Sequence, residues 1–224
     1  MPTAERERAS DAALRQGRAR SAVRLVLPGG GGYGEVLANR RFRQLWLVHI
    51  VAGLGEALAS IAMPLLAYGL TGSSRLLGLI FVIQTVPRVI LSPVAGLLAD
   101  RLDRRLVMLY ADLGRAVTVV LLPFATEAWQ IGVLAALVAA GNTAFKPAEL
   151  AAVPSVVESG LLVRALSISQ VSSSMIRVIG PAIGAGIIGL AGPRPAFGLQ
   201  ALCFLVSAAL LRRLVLPRPT RQIL

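Results

Sequence analysis

Six stretches of this chain are apolar almost without interruption, at positions 45–70, 76–99, 106–124, 131–147, 166–190 and 196–211, and charged residues gather between them. A helix needs about 20 apolar residues to cross about 30 Å of hydrocarbon, and the fourth stretch is short of that. The pattern predicts an all-α integral membrane protein with six transmembrane helices. The first stretch is too long, and begins too far from Met1, to be a cleaved signal peptide.

Around this core the chain divides into three parts: a disordered basic tail at 1–38, the six-helix bundle at 39–216 and a short tail at 217–224. The first tail is rich in Arg, Ala and Gly, ends in the run Gly29 to Gly32 and has no sustained apolar face, which is why it reads as unstructured.

Composition agrees with membrane residence, at 55% hydrophobic and 15% charged residues, and a mean hydropathy of +0.71. The net charge of +12 invites a nucleic-acid reading. Its placement argues against one, because the arginines sit at the ends of apolar runs without aromatic interleaving or a groove-reading motif. With the N-terminus inside, eighteen basic residues fall in cytoplasmic segments, Lys146 and Arg164 among them, against Arg75 and Arg194 outside. That asymmetry places both termini in the cytoplasm. The single Cys203 allows no intramolecular disulfide.

Between the second and third stretches lies Gly96-Leu-Leu-Ala-Asp100-Arg101-Leu-Asp103-Arg104-Arg105. Gly96 would let two helices approach closely, Asp100 could accept from free backbone N–H groups at the next helix start, and the three arginines would hold the turn on the cytoplasmic side. This decapeptide resembles the loop signature G-x-L-a-D-R-x-G-R-R of the major facilitator superfamily, with Asp103 in place of the usual glycine. Other segments match in order and spacing: Asn39 to Trp46, Leu70-Thr-Gly-Ser-Ser, Asp112-Leu-Gly-Arg115-Ala, Phe145-Lys-Pro-Ala, Val153-Pro-Ser-Val-Val and Gly180-Pro181-Ala-Ile-Gly184. Together they are similar to the bacterial drug and siderophore exporter branch, of enterobactin-exporter and macrolide-efflux type, over about residues 37 to 216. The resemblance implies the N-terminal six-helix half of a major-facilitator fold, built of two inverted three-helix repeats, in the inner membrane.

Gly180, Pro181 and Gly184 also fit the family's exporter motif, with Ile176 and Ala185 where glycines would stand. Proline bends a membrane helix and glycines let neighbours pack against the bend, so the segment suits a gating element. Stretches two and five share Arg88-Val-Ile and Arg177-Val-Ile, each followed by Pro and then Gly. Such similarity is expected of the middle helices of two repeats.

Ionisable groups within a span are functional candidates by default. At about 1.5 Å per residue, Glu56, Arg88, Arg115 and Arg177 fall near mid-membrane and Asp112 somewhat shallower. Glu56 could load and release a proton, with His49 seven residues earlier on the same face. Gln84, one turn from Arg88, could offer substrate a donor and an acceptor. Three arginines against two acids leave one surplus positive charge, for which a further partner must supply the counter-charge.

The resemblance, together with these residues, implies secondary active transport: proton-coupled efflux, or antiport, of an amphipathic small molecule by alternating access. The expected partners are the lipid bilayer, the substrate, protons and a second six-helix half, with no nucleic acid. No enzyme, cofactor or metal site is expected, since neither a nucleophile with its base nor a ligand cluster appears. The alternative is a truncated, non-transporting membrane protein that serves as a helical partner or is a gene remnant.

Overall fold

A computed structural model describes residues 32–214 and 216, with side chains throughout except at positions 59, 76 and 98–100. Most of the basic tail and positions 217–224 therefore lie outside the described residues, as does the side chain of Asp100. The described part of the first tail is not wholly irregular. Tyr33–Ala38 forms a short helix, α1, held by packing of the buried Val36 against the bundle.

Six long helices follow: α2 (Arg40–Thr71), α3 (Ser74–Arg101), α4 (Arg104–Leu121, continued by a 3-10 turn to Phe124), α5 (Ala128–Val156), α6 (Leu162–Ala191) and α7 (Pro193–Arg213). All six are long and apolar enough to span a membrane. Their boundaries follow local chemistry. Asn39 caps α2, its side chain accepting from the amides of Arg41 and Phe42, and Gly72, in the left-handed region at φ 62°, ends it. Glu127 and Gln130 form a reciprocal capping box at the start of α5. Gly192 at φ 81° and Pro193 turn the chain from α6 into α7.

The fourth span is where expectation and structure differ most. The apolar run stops at position 147, yet α5 continues to Val156, so Lys146 lies ten residues inside the helix and is not a cytoplasmic loop charge. Lys146 and Glu149 interrupt the apolar run but stand three apart, and their charged atoms are 3.6 Å from each other. Neighbours on one face offset each other, and the helix passes through.

Packing pairs α2 with α6 and α7, α5 with α3 and α4, and α4 with α7. Exchanging the first three spans for the last three, α2 for α5, α3 for α6 and α4 for α7, maps this set of neighbours onto itself. That is the arrangement of two three-helix repeats. The spans bury two apolar clusters, one around Phe42, Leu45, Met108, Phe145 and Leu211, the other around Leu66, Val119, Leu122, Ile131, Phe197 and Phe204. A polar layer separates them.

Candidate functional site

The polar layer follows from where each helix carries its polar residue. Glu56, Arg88, Arg115, Asn142 and Arg177 each lie within one residue of the midpoint of their own span, α2 to α6 in turn, with the 3-10 turn counted in α4. Antiparallel helices of similar length bring their midpoints to one level, and five polar groups meet there.

Arg115 is the centre of the layer and is fully buried. Its guanidinium donates to Asp112 one turn earlier, to Glu56 Oε1 at 3.2 Å and to Asn142 Oδ1 at 2.5 Å. Phe145 and Phe204 sandwich it, both ring centroids 4.4 Å from its central carbon. Asp112 in turn accepts from Ser207 on α7 at 2.5 Å. A cation in hydrocarbon is tolerated only when its charge is met, and here four helices surround it and both terminal nitrogens find acceptors, while Nε has none among the described residues.

Beside this lock lies a cavity of about 870 Å³, walled by α2, α3, α5 and α6, with Gln200 of α7 at its base. Its apolar surface includes Phe42, Leu45, Trp46, Met63 and Ile176; its polar surface includes His49, Glu56, Gln84, Arg88, Lys146, Glu149 and Arg177. Of the residues singled out from sequence, Glu56, Gln84, Arg88, Arg177 and Pro181 line this cavity, whereas Asp112 and Arg115 lie behind its wall in the lock. Lys146 Nζ bridges Glu56 Oε2 at 3.9 Å and Glu149 Oε2 at 3.6 Å. Arg88 has no hydrogen bond or ion pair to any described residue, and Arg177 donates only to Ser174 Oγ at 3.1 Å. Gln84 donates to the sulfur of Met63 at 3.3 Å. Gln200 is fully buried and neither amide atom has a partner among the described residues.

Sequence reasoning missed Lys146, Glu149 and Asn142 as site residues. The signal that could have found them is their i,i+3 and i,i+4 spacing, which puts them on one face of α5. Adding Lys146 and Glu149 leaves the surplus of one positive charge unchanged.

The glycines and the 96–105 turn depart from expectation in two ways. A Cβ on Gly96 would meet open space, so among the described residues it is no site of close approach. Gly180 is one: a Cβ there would lie 2.4 Å from that of Ala57, and Gly184 packs over Leu58. The cap on α4, expected of Asp100, comes from Asp103, whose side chain accepts from the Arg105 amide at 2.9 Å. Arg104 donates to the Ala151 carbonyl of α5 at 2.8 Å. Arg105 reaches the Leu211 and Arg212 carbonyls of α7, at 2.8 and 2.5 Å, where a helix end leaves acceptors unmet. Arg101 is exposed.

A six-helix bundle of two interlocked repeats, with a charged cavity at mid-depth, defines a class of polytopic membrane proteins. Residues 45–223 match the family model described as Major Facilitator Superfamily, and the chain belongs to that family. It is 31% identical to the uncharacterized MFS-type transporter YfiS of Bacillus subtilis over 162 residues, which cover 72% of this chain and 39% of that protein. It is also 32% identical to the multidrug resistance protein MdtG of Salmonella paratyphi C over 198 residues, covering 83% of this chain and 48% of that protein. With MdtG of Proteus mirabilis the figures are 33% over 174 residues, 73% and 42%. The chain thus spans less than half the length of these curated relatives.

Proposed function

We propose that this chain forms one half of a secondary active transporter that expels an amphipathic small molecule in exchange for protons. In this reading it sits in a bacterial inner membrane with both termini in the cytoplasm, and it works by alternating access with a second six-helix bundle.

The observation that carries the proposal is the cavity. It joins an apolar wall, which would take the hydrophobic part of a substrate, to Arg88, Arg177 and Gln84, which would meet its polar part. Neither arginine has an acid partner among the described residues. Binding sites of such transporters lie at mid-depth between bundles, and rocking of one bundle against another exposes them to each side in turn. The helices α3 and α6 bury the least of their surface within this bundle, and their flanks frame the cavity, which suits them to meet the second one. The relatives named multidrug resistance proteins support export, as do Gly180, Pro181 and Gly184. The 96–105 turn, hooked by Arg104 and Arg105 to α5 and α7, is proposed as the gating latch.

The test is reconstitution in vesicles with an imposed proton gradient, first with this chain alone and then together with a C-terminal half from a related exporter. Flux of an amphipathic dye is expected only in the second case. Robust flux from the chain alone would replace the half-transporter reading with a homodimer; none in either case would favour a non-transporting helical partner.

A further inference from the structure

Three polar side chains meet where α2, α5 and α6 converge on the cavity. His49 Nδ1 lies 2.6 Å from Glu149 Oε1, and His49 Nε2 lies 2.9 Å from Ser173 Oγ. The Ser173 hydroxyl also lies 2.9 Å from the Ser169 carbonyl, one turn back on α6. His49 and Glu149 are each 8% exposed, and His49, Glu149 and Ser173 all line the cavity. None was joined to the others in the sequence, because they come from three helices.

We propose that His49, Glu149 and Ser173 form a proton-binding site on the cavity wall, which takes up one proton at His49 Nε2. The proposal rests on the proton-coupled reading above for its purpose. Its chemistry stands on the hydrogen bonds alone.

Two protonation states satisfy both ring nitrogens and the Ser173 hydroxyl. Without the extra proton, Nδ1–H donates to Glu149 and the Ser173 hydroxyl donates to the bare Nε2. With it, Nδ1–H still donates to Glu149, Nε2–H donates to Ser173 Oγ, and the hydroxyl hydrogen turns to the Ser169 carbonyl. The two states differ by one proton from the cavity and one hydroxyl rotation, and no heavy atom need move. An unmet buried donor or acceptor destabilises a fold, and more so in hydrocarbon. A site that avoids this penalty in both states can load and unload within the membrane.

The groups around the site carry a surplus of positive charge, so the carboxylate and hydroxyl that touch the ring must hold the proton against it. From α5, Glu149 meets the imidazole directly, and Lys146, 3.6 Å from Glu149, partly offsets its charge. From α6 comes the uncharged Ser173, with Arg177 one turn further on. Arg88 of α3 lines the same cavity, Glu56 lies two turns along α2 itself, and Arg115 of α4 is within electrostatic reach of Glu149. Glu56 is held by Arg115 and Lys146, whereas His49 is held by a carboxylate and a hydroxyl that accept its charge.

His49 is the chain's single histidine, so labelling with ring-15N histidine reports on this site alone. The chain, purified through a histidine-free tag, would be measured by NMR in nanodiscs between about pH 5 and pH 9. At high pH we expect Nδ1 protonated and Nε2 bare, the reverse of the tautomer favoured by free histidine. On acidification the bare-nitrogen resonance of Nε2 should vanish while Nδ1 keeps its proton. Glu149→Ala should return the high-pH ring to the Nε2–H tautomer. Ser173→Ala, a milder change if the first variant folds poorly, should move the pH range over which Nε2 gains its proton.

A ring that keeps one form across the range, or shows Nε2–H at high pH in the unmodified chain, would overturn the proposal. The measurement needs neither substrate nor gradient, so absence of flux would not affect it. An unresponsive ring in a preparation that supports proton-driven flux would move the coupling proton to Glu56.

Discussion

Arg115 occupies the space that a side chain at Gly141 would need: a Cβ there would lie 2.6 Å from Arg115 Cγ and 3.1 Å from its Cδ. Gly141 precedes Asn142, which holds the guanidinium, so its missing side chain lets α4 and α5 close around the arginine. Gly141→Ala must push Arg115 from its partners or spread the two helices. We expect a loss of about 1–3 kcal/mol, read as a lower melting temperature in detergent. Gly96→Ala, which meets open space, should stay within about 0.5 kcal/mol. Equal melting of the two variants would mean that the arginine relaxes without resistance.

Glu56→Gln keeps the shape of the side chain and removes its charge from between Arg115 and Lys146. The structure favours a loss of stability of about 1–3 kcal/mol, the range for a hydrogen bond to a charged group. Abundance and melting should both fall, with any effect on flux in proportion to the folded protein that remains. Normal abundance with flux uncoupled from the proton gradient would instead mark Glu56 as the proton carrier.

At the 96–105 turn, Asp103→Ala should destabilise the first turn of α4 by about 0.5–2 kcal/mol, the usual penalty for losing a cap. Faster hydrogen exchange at the Arg105 amide would report it. Asp100→Asn should leave that amide protected and, if the turn is a latch, lower flux in the two-half preparation at unchanged abundance. Protection lost in the Asp100 variant would give the cap to the wrong aspartate.

Gln200→Leu removes two buried amide atoms that no described residue meets. The bundle should gain up to about 1–2 kcal/mol. Flux in the two-half preparation should fall, because a polar group at the base of the cavity is lost. A melting temperature that does not rise would show that the amide finds partners in the membrane.

The spans and their mid-depth charges are legible in the sequence because hydrocarbon imposes a length and makes every charge conspicuous. Glu56, Arg88 and Arg177 stand out against apolar neighbours, and all three line the cavity. Lys146 and Glu149 are hidden by the same rule. They shorten the apolar run, and only the three-dimensional neighbours His49 and Glu56 show why the helix continues past them. A glycine in a membrane helix announces that close approach is allowed without saying where it occurs, so Gly96 and Gly141 look alike until the helices are packed. The cap expected of Asp100 falls to Asp103 because α3 runs on to Arg101, which leaves Asp103 directly before α4.

The spacing of the charges also bears on how the chain enters the bilayer. In α4 the ion pair of Asp112 and Arg115 lies within the helix, and in α5 Lys146 and Glu149 stand the same three residues apart. These two segments can leave the translocon already neutralised, before any other helix has arrived. Glu56 on α2, Arg88 on α3 and Arg177 on α6 have no such companion in their own segment, and a lone charge resists release into lipid. The third and fourth spans can therefore partition singly, while the first, second and fifth gain by waiting for a neighbour. The order of integration is written into which helices carry their own counter-ions.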